Sequence, residues 1–280
     1  MRIGTNVAAI VANNALQKSQ NNLSTSIERL SSGYKINGSK DDAAGCAISE
    51  KMRRQIRGLT QASSNAQDGI SCVQTAEGAL AEVHDMLQRM TELAVKAANG
   101  TQTSADRGYI NQEVQALVSE IDRVASTTTF NEQNLLDGSF KKVGLQVGAE
   151  SKQLITLDIA AMSAKGLNLV KGAAGTAGNI SVGGTDGKNA QAAIKTIKDA
   201  FAQVSKQGAD LGAVQNRLEH TIKNLDNVVE NTTSAESSIR DTDMATEMVK
   251  YSNNNILAQA GQSMLAQANQ SNQGVLSLLG

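Results

Sequence analysis

One apolar stripe limits what this chain can fold into more than any other feature. Ile48, Met52, Ile56, Leu59, Ala66, Ile70, Val73, Leu80, Val83, Leu87, Met90, Ala94 and Ala97 recur at steps of three, four or their sums. That spacing places them on one face of a helix over residues 46–98. Such a helix is about 80 Å long at 1.5 Å per residue, well beyond an ordinary globular helix. It has one apolar face, so other helices must run beside it. The chain of 280 residues contains no Pro, the strongest helix breaker. It has no Trp, three Phe and three Tyr. Ala, Leu, Ile and Val must therefore fill thin seams where aromatic rings would fill a globular core.

The neighbouring segments supply partners. Asn99-Gly100 ends the long helix with residues that tolerate a left-handed backbone. Thr103 or Ser104 caps a second helix carrying Ile110, Val114, Leu117, Ile121 and Val124, and the short turn makes the two antiparallel. Residues 127–170 change period. Leu145 and Val147, then Ile155, Leu157 and Ile159, alternate with polar neighbours around Gly148–Ser151, which predicts a β-hairpin. Residues 171–188 are Gly-rich, with a short strand expected at Ile180–Val182. A third helix over 189–238 shows Ile194, Ile197, Phe201, Val204, Leu211, Val214, Leu218, Ile222, Leu225 and Val229 on one face.

Both chain ends are helical but weaker. Ile3, Val7, Ile10, Leu16, Leu23, Ile27 and Leu30 mark the first. Met244, Met248, Tyr251, Ala258, Leu265, Leu276 and Leu279 mark the last. Asn14, Gln17, Gln262 and Asn269 interrupt these seams, so the pair is marginal alone and needs other chains to fold fully. Leu23, Ile27, Leu30, Leu265, Leu276 and Leu279 are the assembly candidates. Between the weak and strong helices lies Arg29–Asn37, followed by Asp41–Gly45. Ser31, Ser32, Gly33, Asp41 and Asp42 favour caps and turns over helix interiors. The chain is expected to leave one helix near Leu30, run extended, and start another near Ala47. Ser237–Asp243 returns along it, forming a paired spoke. The predicted class is mainly α: a long-helix rod, built as a three-helix bundle with a small β-hairpin region, plus a coiled coil of the two termini. The expected domains are 1–30 with 244–280 (coiled coil), 31–45 with 237–243 (spoke), 46–170 with 189–236 (rod) and 171–188 (variable segment).

The chemistry of a catalyst is missing. His84 and His220 are the two histidines. Neither sits in a metalloprotease motif, and no second His or Cys stands at ligand spacing. Asp41 and Asp42 read as helix caps in preference to a cation site. Cys46 and Cys72 lie on the long helix, roughly 39 Å apart, too far for a disulfide and well suited to packing as small hydrophobes. No catalytic, metal or cofactor residue is expected. Net charge is −1 with pI about 6.2, which points away from nucleic acid and anionic membranes. No apolar run is long enough to span a membrane. Asn6, Asn13, Asn14 and Gln17 interrupt any signal-peptide core.

Several long stretches carry a family resemblance. They are RLSSGYKINGSKDDAAGCAIS, QRMTELAVKAANGT and EIDRVASTTTFNEQNLLDG in the first half, then LGAVQNRLEHTIKNL and ILAQAGQSMLAQANQSNQGVLSLLG. Together, over about 1–170 and 189–280, they resemble bacterial flagellin, in a short-centred form without large outer domains. The family often has Pro in the stretch matched by Ser271–Gly274, and a polar or basic last residue where this chain has Gly280. The resemblance implies an extracellular structural subunit that polymerises with itself into the flagellar filament. It implies paired termini lining a hollow inner tube, central helices forming an outer rod, and a connecting spoke. It implies export in unfolded form by the flagellar type III apparatus, with an export chaperone, a cap protein and hook-associated proteins as partners. Gln88, Arg89 and Leu93, with Glu113 on the next helix, match positions that contact the flagellin-sensing Toll-like receptor of animals in some members. Thr91 departs from the family's frequent Arg there. Packing between filament subunits is the other role for these residues, and the main one. A hook–filament junction protein is the alternative identity. An enzyme is the third, since some members carry a peptidase insert, but 171–187 is too short to hold one.

Overall fold

The computed structural model describes residues 6–170, 180–184 and 187–279, with side chains through Ser271. Five helices carry the chain: α1 (Val7–Ser32), α2 (Ala43–Ala98), α3 (Ser104–Thr127), α4 (Lys188–Arg240) and α5 (Met244–Leu279). Between α3 and α4 lie short strands β1 (Thr129–Phe130), β2 (Gln133–Asn134), β3 (Val143–Gln146) and β4 (Leu154–Leu157). The mainly α class and the small hairpin region follow the expectation. Two compact units form: Met1–Ile56 with Glu230–Gly280, and Arg57–Val229.

In the second unit the stripe is buried as its spacing requires. Val73, Val83, Leu87, Met90, Ala94 and Ala97 on α2 are sealed from solvent, as are Val114 and Ile121 on α3 and Ile197 and Leu218 on α4. Leu135, Leu136, Leu157, Ile159, Leu167 and Leu169 from the intervening segment join the largest of three buried clusters. Thr103 caps α3 with a reciprocal box: its hydroxyl accepts from the Asp106 N–H at 3.2 Å, and the Asp106 carboxylate accepts from the Thr103 N–H at 3.0 Å. The Thr103 hydroxyl also donates to Asp106 Oδ2 at 2.7 Å, and this bond, then the one from the Thr103 N–H, holds the Asp106 carboxyl below its ordinary pKa. Arg107 turns inward and is buried. Its guanidinium donates to the Ala97 carbonyl at 2.9 Å and the Asn99 carbonyl at 3.1 Å, satisfying acceptors that the end of α2 leaves open.

β3 and β4 pair antiparallel with Leu145 opposite Ile155. Ile155 and Leu157 point inward and Leu154 and Thr156 outward, the period of two seen in the sequence. The tighter β1–β2 hairpin was not anticipated. Its turn residues Asn131 and Glu132 both take positive φ, 48° and 64°. Asn-Glu fills a turn usually signalled by Asn-Gly, so the usual signal is missing. Ile180–Val182 forms no strand. Ile180 and Val182 are buried, their N–H groups bonded to the Leu169 carbonyl and the Asn111 side chain. Residues 171–179 and 185–186 of the Gly-rich segment lie outside the described residues.

In the first unit α1 and α5 pack antiparallel. The Asn6 side chain donates to the Ala268 carbonyl at 3.0 Å, while Ser26 meets Glu247 at the other end. Three boundaries differ from the expectation. α1 continues through Ser31 and Ser32 and stops at Gly33, whose φ of 77° and N–H bond to the Arg29 carbonyl make a left-handed cap. α2 starts at Ala43 instead of near Ala47, because the Asp42 carboxylate already accepts the Ala44 and Gly45 N–H groups at 3.0 Å each. Ser237–Arg240 belong to α4, so the return stretch shortens to Asp241–Asp243.

Candidate functional site

The short connection between these helix ends is a clasp. Tyr34 and Asp241 form an isolated antiparallel bridge. The Lys35 N–H donates to the Arg240 carbonyl at 2.6 Å, and the Thr242 N–H to the Gly33 carbonyl at 2.9 Å. Arg240 stacks over the Tyr34 ring at 4.8 Å and donates to the Glu50 carboxylate at 3.0 Å. Arg240, and next Arg53, pull the Glu50 carboxyl below its ordinary pKa despite the opposing effect of burial. Asp41 closes the loop by accepting the Asn37 and Gly38 N–H groups at 3.1 and 3.2 Å. Gly45 permits a close approach: a Cβ there would lie 2.7 Å from the Ile36 side chain and 2.5 Å from the Asp42 carboxylate. Of the predicted spoke residues, Gly33, Asp41 and Asp42 shape this turn, while Ser31 is exposed at the end of α1.

The assembly candidates fall partly where expected. Leu23, Leu30 and Leu265 are half-buried, and Ile27 is 49% exposed. The side chains of Leu276 and Leu279 lie outside the described residues. Met244 and Met248, placed in the seam by their spacing, are exposed. The seam holds Leu16 and Ala258, as their spacing requires, together with Ser26 and Glu247. Nothing in the sequence marks that polar pair, since a Glu in the first turn of α5 reads as a surface charge matched to the helix dipole. Four further exposed apolar residues, Val7, Val11, Leu257 and Met264, line a groove of about 690 Å³ together with Ala15 and Gly261, among others.

The receptor-matched residues divide. Gln88, Arg89 and Glu113 are exposed. Arg89 donates to the Glu113 carboxylate at 2.8 and 3.0 Å, tying α2 to α3, and to Glu92 at 3.0 Å. Glu113, then Glu92, push the Arg89 pKa further up. Leu93 corrects the expectation. It is 3% exposed and part of the core, because it shares the inward face with Met90, Ala94 and Ala97. Beside Gln88 an open groove of about 950 Å³ is lined by His84, Val95, Lys96, Ile194, Lys198 and Phe201, among others, with the His84 and Phe201 rings 4.3 Å apart.

Among the described residues no group of three or more His, Cys, Asp or Glu is placed to hold a metal ion. Among them no helix is long and apolar enough to cross a membrane. Residues 3–141 match the bacterial flagellin N-terminal helical region, and residues 194–279 match its C-terminal helical region. The chain is 52% identical to a flagellin of Halalkalibacterium halodurans over 279 residues, covering all of both chains. It is 48% identical to a flagellin of Bacillus subtilis over 303 residues, again covering all of both. A flagellar filament 31.3 kDa core protein of Treponema maltophilum is 46% identical at full coverage. A solved chain from Vibrio parahaemolyticus, titled as a flagellar hook-associated protein, shares the fold with a TM-score of 0.56 at 16% identity, covering 72% of this chain and all of that one. Matched at both ends by the family's two helical regions, and along its whole length by relatives about half identical to it, the chain belongs to the bacterial flagellins.

Proposed function

We propose that this chain is a structural subunit of the flagellar filament, outside the cell, and that α1 and α5 form its assembly pair. The observation that carries the second part is the apolar surface of that pair. Val7, Ile10, Val11, Ile256, Leu257 and Met264 are each 49–65% exposed. A soluble monomer gains nothing by exposing so many large apolar side chains on two adjacent helices. Neighbouring copies in a helical polymer cover them, and each such side chain contributes about 1.5–3 kcal/mol when fully buried. The terminal pair lines the inner tube, residues 33–42 and 241–243 form the spoke, and the central bundle forms the outer rod. The subunit leaves the cell unfolded through the flagellar type III apparatus. An export chaperone covers the α5 end by helix-in-groove contact, and a cap protein and hook-associated proteins meet the growing filament. The exposed Arg89–Glu113 pair with Gln88 is the surface offered to a flagellin-sensing Toll-like receptor in the monomer.

Imaging and quantifying sheared surface filaments tests the identity. The chain should dominate that material. Recovery only as a trace component at one filament end would make it a junction protein. Replacing Leu276 and Leu279 together by Asp should give soluble monomer with unchanged melting of the central bundle and no filaments. Normal polymerisation of that variant would count against the assembly role of the termini.

A further inference from the structure

Heptad spacing leaves the alignment of α1 on α5 ambiguous. Leu16, Leu23 and Leu30 stand seven apart, and so do Met244, Tyr251, Ala258 and Leu265 on the partner helix. Sliding one helix by seven residues returns the same kinds of side chain to the same face, so apolar contact distinguishes these alignments weakly. The Tyr34–Asp241 bridge, with Arg240 stacked on Tyr34 and paired with Glu50, holds the same alignment at one end of the pair, so a slid register forms only where this clasp opens.

One contact repeats only in part. Ser26 and Glu247 are each 3% exposed, and the Ser26 hydroxyl donates to Glu247 Oε1 at 2.8 Å. Glu247 Oε2 is met by Lys250 from its own helix at 3.1 Å and by Arg29 from α1 at 4.0 Å. A slide in one direction brings Ser19 opposite Glu247. That restores a hydroxyl, but Asn22 takes the place of Arg29. A slide in the other direction brings up Gly33, which has no side chain and ends the helix. The first alignment keeps a hydroxyl and Lys250 and exchanges only the Arg29 charge for a neutral amide; the second removes both partners that α1 supplies, and a buried carboxylate short of partners is strongly unfavourable.

We infer that the Ser26–Glu247 contact, completed by Arg29, selects the register of the terminal helix pair. It picks, from the heptad-related alignments, the one in which Val7 and Val11 of α1 line a single apolar groove with Leu257 and Met264 of α5. Its consequence for polymerisation rests on the proposal above that this face is the assembly surface. A single buried polar contact that fixes alignment is a known device in coiled coils.

The structure supplies its own register gauge. A Cβ on Gly261 would lie 3.5 Å from the Leu16 Cβ, within the separation a disulfide requires, about 3.5–4.5 Å. Full-length chains carrying Cys46→Ser and Cys72→Ser receive Leu16→Cys with one of three partners. Gly261→Cys reports the native register, and Asn254→Cys and Ala268→Cys report slides of one heptad either way. Intrachain disulfide is measured under mild oxidation in monomer and in filaments. With Ser26 and Glu247 intact, only the Gly261→Cys reporter should close. Glu247→Leu should lose most of that cross-link and gain one of the slid ones, whereas Glu247→Gln, which keeps an acceptor for Ser26, should retain more of it. An unchanged cross-link in Glu247→Leu overturns the inference. So does loss of all three cross-links, because the contact would then be needed for pairing itself and not for choosing among pairings. If the register slides and filaments still grow normally, register selection stands and the assembly role of the groove fails.

Discussion

Arg107 holds more of the second unit together than its type promises. A buried guanidinium binds the Ala97 and Asn99 carbonyls, so it replaces the water that the end of α2 would otherwise need. Arg107→Leu removes the guanidinium from the Ala97 carbonyl and leaves the Asn99 carbonyl with the Gln102 N–H at 3.3 Å, and should lower the stability of the central bundle by about 1–3 kcal/mol, read from urea unfolding. Leu93 behaves as a core residue for the same reason of placement. Leu93→Ala should cost about 2–5 kcal/mol of bundle stability, as large-to-small core changes do. Glu247 carries part of the pH dependence of the terminal pair, beside Asp243, whose carboxyl the Thr246 contacts hold below its ordinary value. Burial pushes its carboxyl up, but the Ser26 hydroxyl and Lys250, with Arg29 further off, together bring it below the ordinary 4.5. Ser26 and Arg29 of α1 and Lys250 of its own helix face it, with the Asp243 carboxylate one turn back on the chain. A depressed pKa stabilises the folded form above the ordinary value, and that stabilisation is lost as pH falls through the depressed one. Amide protection along α1 in filaments should therefore fall below pH 4.5, and Glu247→Gln should flatten that part of the profile.

The helices differ in how much of their stability is their own. α3 buries Arg107, Ile110, Val114, Val118, Ile121 and Ala125 within 24 residues, whereas α1 buries only Leu16 and Ser26 within 26. Helices draw most of their stability from such packing and little from intrinsic propensity. In isolated subunits α1 and α5 should open first, on the scale of local unfolding. Limited proteolysis should trim both ends while a fragment near residues 57–229 persists. Equal resistance across the chain would show that the terminal pair is stable without neighbours.

At the scale of the whole molecule, a subunit that polymerises hides some surface it shows as a monomer. The Arg89–Glu113–Glu92 cluster is such a surface under the proposed function. Its ion pairs are about half exposed and screened by solvent, so Arg89→Ala should leave the melting of the bundle nearly unchanged. If Arg89 anchors receptor binding, the same change should weaken affinity by more than about tenfold. Receptor binding by monomer, by filament and by Arg89→Ala monomer checks both statements. Filaments binding as well as monomer would show that polymerisation leaves this face open.

Periodicity determined the helices, their inward faces and the β3–β4 hairpin, because a step of three and four or of two states which side must be dry. Capping chemistry, which is local, placed a turn between Leu30 and Ala47, and the structure narrowed it to Gly33–Asp42. Long motifs in order determined the family. Tertiary structure alone decided the rest. Leu93 and Glu113 were matched to one surface, yet Leu93 faces the core, and a family motif does not state which residues a particular fold covers. Met244 and Met248 fit the seam by spacing, yet Glu247 occupies it. A carboxylate enters a seam only when Ser26, Arg29 and Lys250 arrive from two helices at once. Arg240 likewise reads as the end of a polar stretch until Tyr34 and Glu50 are brought to it. Local spacing is written in the chain one residue after another, whereas a buried charge is stabilised by partners more than two hundred positions away.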